Sequence, residues 1–182
     1  MDFLSKNSFR SIFLYFFIVF QSCSSLKPGS TNSGSSLYTS FFVGEKGTQY
    51  FIKPIKFKSN DSDNEMMLDI TFRYKDSLHT DATLNYSVIN QEIIKNIDSI
   101  VIANPTNKIS CKHNKRLYNE RKKNNYFSRF STNTPSAKLK KVFANSNWTI
   151  TTYYNNKKRS YLPTKKSKKS ITTLNEYLFV IF

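Results

Sequence analysis

Cys111 and His113 stand two residues apart, so on a strand they would share a face, and with His79 they would offer three metal ligands or a thiol beside a base. Neither chemistry is completed. No CxxC, HxxxH or HExxH spacing accompanies them, and the flanking Lys112, Lys115 and Arg116 would repel a cation. The plainer reading is a small buried thiol near a surface histidine. Asp61, Asp63 and Glu65 alternate like the start of a calcium loop, but the central glycine and distal glutamate of that loop are missing, so a solvated turn is expected. A pair of carboxylates working as acid and base or nucleophile leaves no signature in sequence, and that possibility stays open. All four glycines lie before residue 48. A P-loop, a dinucleotide fingerprint and a nucleophile elbow all need glycine where backbone approaches closely, so none of them exists beyond that point. No metal and no cofactor is expected.

Charge is the feature above background. The formal net charge is +16, and between Glu120 and Glu176 there is no acidic residue while 14 are basic. The densest runs are Lys157, Lys158 and Arg159, then Lys165, Lys166, Lys168 and Lys169. They are interleaved with Tyr126, Phe127, Phe130, Tyr153, Tyr154 and Tyr161. In a cytoplasmic chain such a pattern would suit single-stranded nucleic acid, with cations on phosphates and rings on bases. In an exported chain the anionic candidates are lipid head groups, lipopolysaccharide or acidic glycans. The alternative with no function attached is a lysine-rich solvated surface over core aromatics.

Several elements are legible. Leu37 to Val43 and Thr48 to Phe57 read as a hairpin around Gly44–Gly47, with Pro54 forcing an edge or a bulge because it lacks an amide donor. Met66, Leu68, Ile70, Phe72 and Tyr74 alternate with Met67, Asp69, Thr71, Arg73 and Lys75, the clearest period-2 pattern in the chain. Leu84, Tyr86 and Val88 give another strand, and Ser99 to Ala103 a short one ended by Asn104–Pro105. Ile89 to Asn96 reads as a short helix or a loop, and Lys108 to Asn125 has no clear pattern. Tyr126 to Thr132 has strand propensity, Pro135 opens a helix over Ser136 to Ala144, and Trp148 to Tyr154 alternates again. Ile171, Leu174, Leu178 and Ile181 fall at helical spacing with Thr173 and Glu176 as a capping box, although Phe179 to Phe182 has strand character. The fold class expected is α+β, mainly an antiparallel sheet or β-sandwich with one or two helices near the C-terminus.

At the N-terminus Lys6 and Arg10 precede an unbroken apolar run, Ile12 to Phe20, too short to span a bilayer and followed by Gln21, Ser22 and Cys23. That layout reads as a secretory signal. Residues 24 to 36 are rich in Ser, Gly, Pro and Asn and read as a flexible tether about 20 Å end to end. The apolar run ending at Ser22-Cys23-Ser24-Ser25 resembles the lipobox of bacterial lipoproteins, particularly those of Bacteroidota. The resemblance covers residues 1 to 25 and departs from the usual box at Phe20 and Gln21. It implies cleavage before Cys23 and a lipid on its thiol. The other readings of Cys23 are a disulfide with Cys111 or a free thiol. Surface-bound lipoproteins of that group resemble one another in carrying acids after the cysteine, whereas no acid appears here before Glu45. The implied place is the outer membrane, facing the periplasm. The expected organisation is a signal peptide over 1–22, a lipid anchor and tether over 23–36, and a single β-rich domain over 37–182. The function expected is a non-catalytic envelope module with a basic face. The alternatives are an envelope hydrolase with unplaced carboxylates or, without export, a nucleic-acid binder.

Overall fold

The computed structural model describes residues 36–60, 64–76 and 80–181. The signal, Cys23 and nearly all of the tether lie outside these residues, as do His79, Asp61 and Asp63. The described chain opens with the expected hairpin: β1 (Tyr38–Phe42), a single 3-10 turn at Gly44–Lys46, and β2 (Thr48–Ser59). Gly47 is required at the turn. Its φ is 81°, and a Cβ there would sit 2.1 Å from the Tyr74 carbonyl oxygen. The β2 register slips between Ile52 and Ile55, so Pro54 sits in a bulge where no amide is needed. β3 (Glu65–Tyr74) and β4 (Asp81–Asn90) follow antiparallel, with Met66, Leu68, Ile70 and Phe72 buried as their alternation requires.

Residues 91–98 form no regular element but bury Ile94 and Ile97, and the Ile94 amide donates to Ser128 Oγ at 3.1 Å. β5 (Ser99–Ala103) ends where Asn104 caps the turn: its Oδ1 accepts from the amides of Thr106 and Asn107. The stretch without pattern contains two strands, β6 (Lys108–Cys111) and β7 (Lys115–Lys122), before β8 (Asn125–Pro135). β6 is only four residues long, and β7 is exposed at all eight positions, so neither carries a sustained buried alternation. After α1 (Ser136–Phe143), β9 (Thr149–Tyr154) and β10 (Lys157–Pro163) form a hairpin whose loop residues Asn155 and Asn156 have φ of 48° and 58°. That is the two-residue turn asparagine tolerates, formed without glycine. α2 spans Lys165–Tyr177, beginning well before Ile171. Its cap is Thr164, which accepts from the Ser167 amide, not the Thr173–Glu176 box. Phe179–Ile181 is a 3-10 turn, not a strand. Among the described residues no helix is long and apolar enough to cross a membrane.

The ten strands make one antiparallel sheet in the order β6-β5-β9-β10-β2-β3-β4-β8-β7, with β1 also on β2. The architecture is therefore a single curled sheet, not a two-sheet sandwich. β1 pairs the first half of β2, and β10 pairs its last three residues on the same edge. α2 fills the gap between them, where Ser167 Oγ donates to the Lys56 carbonyl. The curl brings β6 against the last residues of β8, and Cys111 Sγ lies 3.5 Å from the Asn133 carbonyl. One end of the curl is filled by α1, α2 and stacked rings: Phe57 and Phe143 pack on Trp148, and Phe72 and Phe143 on Phe179. Segment 91–98 crosses the other end.

Candidate functional site

The seven basic residues of interest do not share one place. β10 carries Lys157, Lys158 and Arg159 at its hairpin end, and its far end at Pro163 is about 20 Å away at ordinary strand rise. Strand alternation sets Lys158 apart from Lys157 and Arg159, and position along the strand divides those two. Lys157 and Lys158 are exposed at the turn, whereas Arg159 points inward on the same face as Tyr161. The other four begin α2. Lys165, Lys166, Lys168 and Lys169 are exposed on one arc of the helix, opposite the buried Ser167, Ile171 and Leu174. Lys168 Nζ donates to Asn147 Oδ1 at 3.0 Å. No described carboxylate pairs with any of the four. They also sit at the helix end whose free amides carry positive partial charge, and the first turn holds no acid. The arrangement opposes helix stability and concentrates positive potential outward.

Elsewhere three acids neutralise cations in place. Glu65 takes Lys56 at 2.7 Å, Glu120 takes Lys122 at 3.3 Å, and Asp69 takes the Arg129 guanidinium through both carboxylate oxygens at 2.8 Å. Ser87, between them on β4, holds the other guanidinium nitrogen at 3.1 Å. The aromatics interleaved with the basic runs divide the same way. Phe130, Tyr154 and Tyr161 are core residues, and Tyr126 and Phe127 lie under Arg121 and Lys122 at 5.7 and 5.0 Å. Tyr153 is the one turned outward on β9. No continuous stacking platform results.

A groove of about 560 Å³ runs along the seam between β6 and the β7–β8 pair, lined by Ser110, Cys111, Lys112, His113, Lys115 and Thr132 among others. It contains hydroxyls, a thiol and lysines, but no carboxylate. The Cys111 thiol is buried and its pKa is raised by desolvation, against smaller lowering effects of the Thr132 and Thr134 hydroxyls and Lys138, so it is a poor nucleophile. His113 is exposed. Among the described residues no three of His, Cys, Asp and Glu gather to hold a metal ion.

Two polar features lay beyond sequence reading. Asn114, in the β6–β7 link, donates to the carbonyls of Ile97 at 3.3 Å and Cys111 at 3.2 Å and accepts from the Tyr86 hydroxyl at 2.8 Å. It fastens the seam to segment 97 and to the core. The second is a trio on the inner face: Thr152 Oγ1, one Arg159 guanidinium nitrogen and the Tyr161 hydroxyl are buried without a hydrogen bond of ordinary geometry. Burial pushes the Tyr161 phenol up to about 12, while Arg159 and Thr152 lie near enough to pull it partly back. No sequence signal marks either feature, because each depends on strands that the hydrophobic pattern does not show. No protein-family model matches the chain, and neither a curated protein nor a solved structure matches it.

Proposed function

We propose that this is an exported, lipid-anchored envelope module, held by Cys23 at the periplasmic face of the outer membrane, that meets anionic surfaces through the lysines of α2. The supporting observation is the exposed, carboxylate-free arc of Lys165, Lys166, Lys168 and Lys169 at a helix end that disfavours positive charge. Lysines so placed weaken the helix by a few tenths of a kcal/mol each, and an anionic partner would offset that loss. The partner is a lipid head group, lipopolysaccharide or an acidic glycan. Lys157 and Lys158 would form a separate, smaller contact at the β9–β10 turn, and Arg159 contributes to neither. The hydrolase alternative gains nothing from the seam groove, which brings no carboxylates together.

Replacing the four α2 lysines by Gln is expected to weaken co-sedimentation with lipopolysaccharide and anionic vesicles and to flatten the fall of log affinity with log salt. Binding of the Gln variant with the wild-type affinity and slope would remove the α2 arc from the mechanism. Cys23→Ala is expected to release the protein from the membrane fraction, and retention would place the anchor elsewhere.

A further inference from the structure

The three most exposed apolar side chains among the described residues, Phe42, Val180 and Phe41, lie at the end of the sheet that α1 and α2 fill. Phe42 is 78% exposed, Phe41 52%, and Val43 and Phe51 about 40%, all on the β1–β2 hairpin, while Val180 at 69% belongs to the 3-10 turn whose Phe179 packs into that end. The turn itself, Gly44–Gly47, is polar, and the apolar side chains flank it. The side chains emerge from both faces of the hairpin. Phe41 and Phe51 meet edge to face at 5.8 Å on the outer face, and alternation turns Phe42 to the opposite one. A protein partner docks on one side of a ribbon, whereas apolar rings projecting from both sides of a tip suit a medium that surrounds it. In chain order β1 is the first element after the tether of about 20 Å, so under the anchored reading its hairpin lies within the tether's reach of the leaflet. Glu45 and Lys46 cancel in charge at the turn. Insertion therefore needs no anionic lipid.

We propose that the Phe41–Phe42–Val43 tip of the β1–β2 hairpin inserts into the interfacial region of the phospholipid leaflet that holds the lipid anchor, and so fixes the orientation of the domain on the membrane. The inference rests on the anchored reading above and adds a second, salt-independent contact to it. Rings at the boundary of head groups and acyl chains bury apolar area that is exposed in water. The α2 lysines, by contrast, act through potential and are screened.

The test uses the full chain as its host processes it, reconstituted on vesicles of phosphatidylethanolamine and phosphatidylglycerol. An environment-sensitive fluorophore is placed at Phe42→Cys or, as a control, at the exposed Lys108→Cys on β6. The expected result on the vesicle-bound fraction is several-fold stronger quenching by brominated phospholipid at position 42 than at position 108, unchanged between low and high salt. Phe41→Ser and Val43→Ser added to Phe42→Cys should bring its quenching down to the control level, and circular dichroism verifies that the sheet is retained. Bound protein with position 42 no better quenched than position 108 overturns the hairpin contact and leaves the anchor standing. Protein that never reaches the vesicles overturns the anchored reading, and this inference with it. Quenching that disappears at high salt assigns the contact to charge and also overturns the proposal.

Discussion

The two ends of the curled sheet are closed by opposite means. At one, rings do the work: Trp148 lies between Phe57 and Phe143, and its indole nitrogen donates to the carbonyls of Val142 and Asn145 at 3.0 and 2.7 Å. Every polar atom of that buried side chain has a partner, and its apolar area is out of water. At the other end, segment 91–98 buries only Ile94 and Ile97 and is fastened by polar contacts with Ser128 and Asn114, and beside them Thr152, Arg159 and Tyr161 keep unmatched polar atoms. The difference shows where stability is generated and where it is conceded. A buried donor with no acceptor loses its hydration without recovering a bond, so the polar end should be the first to open.

The largest effect is expected from Trp148→Ala, which removes the stacked centre of the aromatic end and should cost about 3–5 kcal/mol, read as a lower denaturant midpoint. A loss under about 1 kcal/mol would mean that the rings close that end without supporting it. Asn114→Ala should cost about 1–3 kcal/mol by stranding the Tyr86 hydroxyl and two carbonyls. Hydrogen exchange should then rise first in residues 94–100, and uniform exchange would show that the polar end is no separate unit. Tyr161→Phe sharpens the contrast by its smallness. Removing a hydroxyl that makes no hydrogen bond of ordinary geometry should change stability at neutral pH by under about 0.5 kcal/mol in either direction. The same variant should matter in alkali. A phenol raised to about 12 in the folded state, against 10.0 for its ordinary value, gives stability that is whole below pH 10 and lost as pH climbs toward 12. Tyr161→Phe should lose less stability than wild type between pH 9 and 11, and equal losses would show that the hydroxyl is hydrated. Smallest is Lys123→Gly at the β7–β8 turn, where φ is 55° and a lysine is strained. It should stabilise by about 0.5–1 kcal/mol in thermal unfolding.

The sheet's middle was legible because burial writes itself into alternation there. Met66 to Tyr74 and Leu84 to Val88 face core on one side only, and Asn104–Pro105 marks the end of β5 by turn chemistry. Legibility fails where only one edge of a strand is paired or where burial is carried by small residues. β7 exposes all its side chains. The start of α2 buries only Ser167 within a lysine run, so its apolar face appears in the sequence one turn late. The basic runs were visible as composition, but their division between two sites about 20 Å apart depends on β10, which the hydrophobic pattern did not reveal. Arg159 shows this most sharply: next to the exposed Lys158 in sequence, it faces inward because successive side chains of a strand point to opposite faces.

β7 has a further consequence wherever copies of the domain meet. It pairs with β8 on one side, and its other edge ends the sheet. An open row of amides and carbonyls is a template on which a neighbouring copy can pair. Five of the eight residues of β7 are Lys, Arg or Glu, and its register slips between Arg116 and Tyr118. Charge repels an identical strand, and the slip spoils the straight ladder that such a strand would need. The strand that sequence pattern hides most completely is thus poorly suited to edge-to-edge pairing with its own copy.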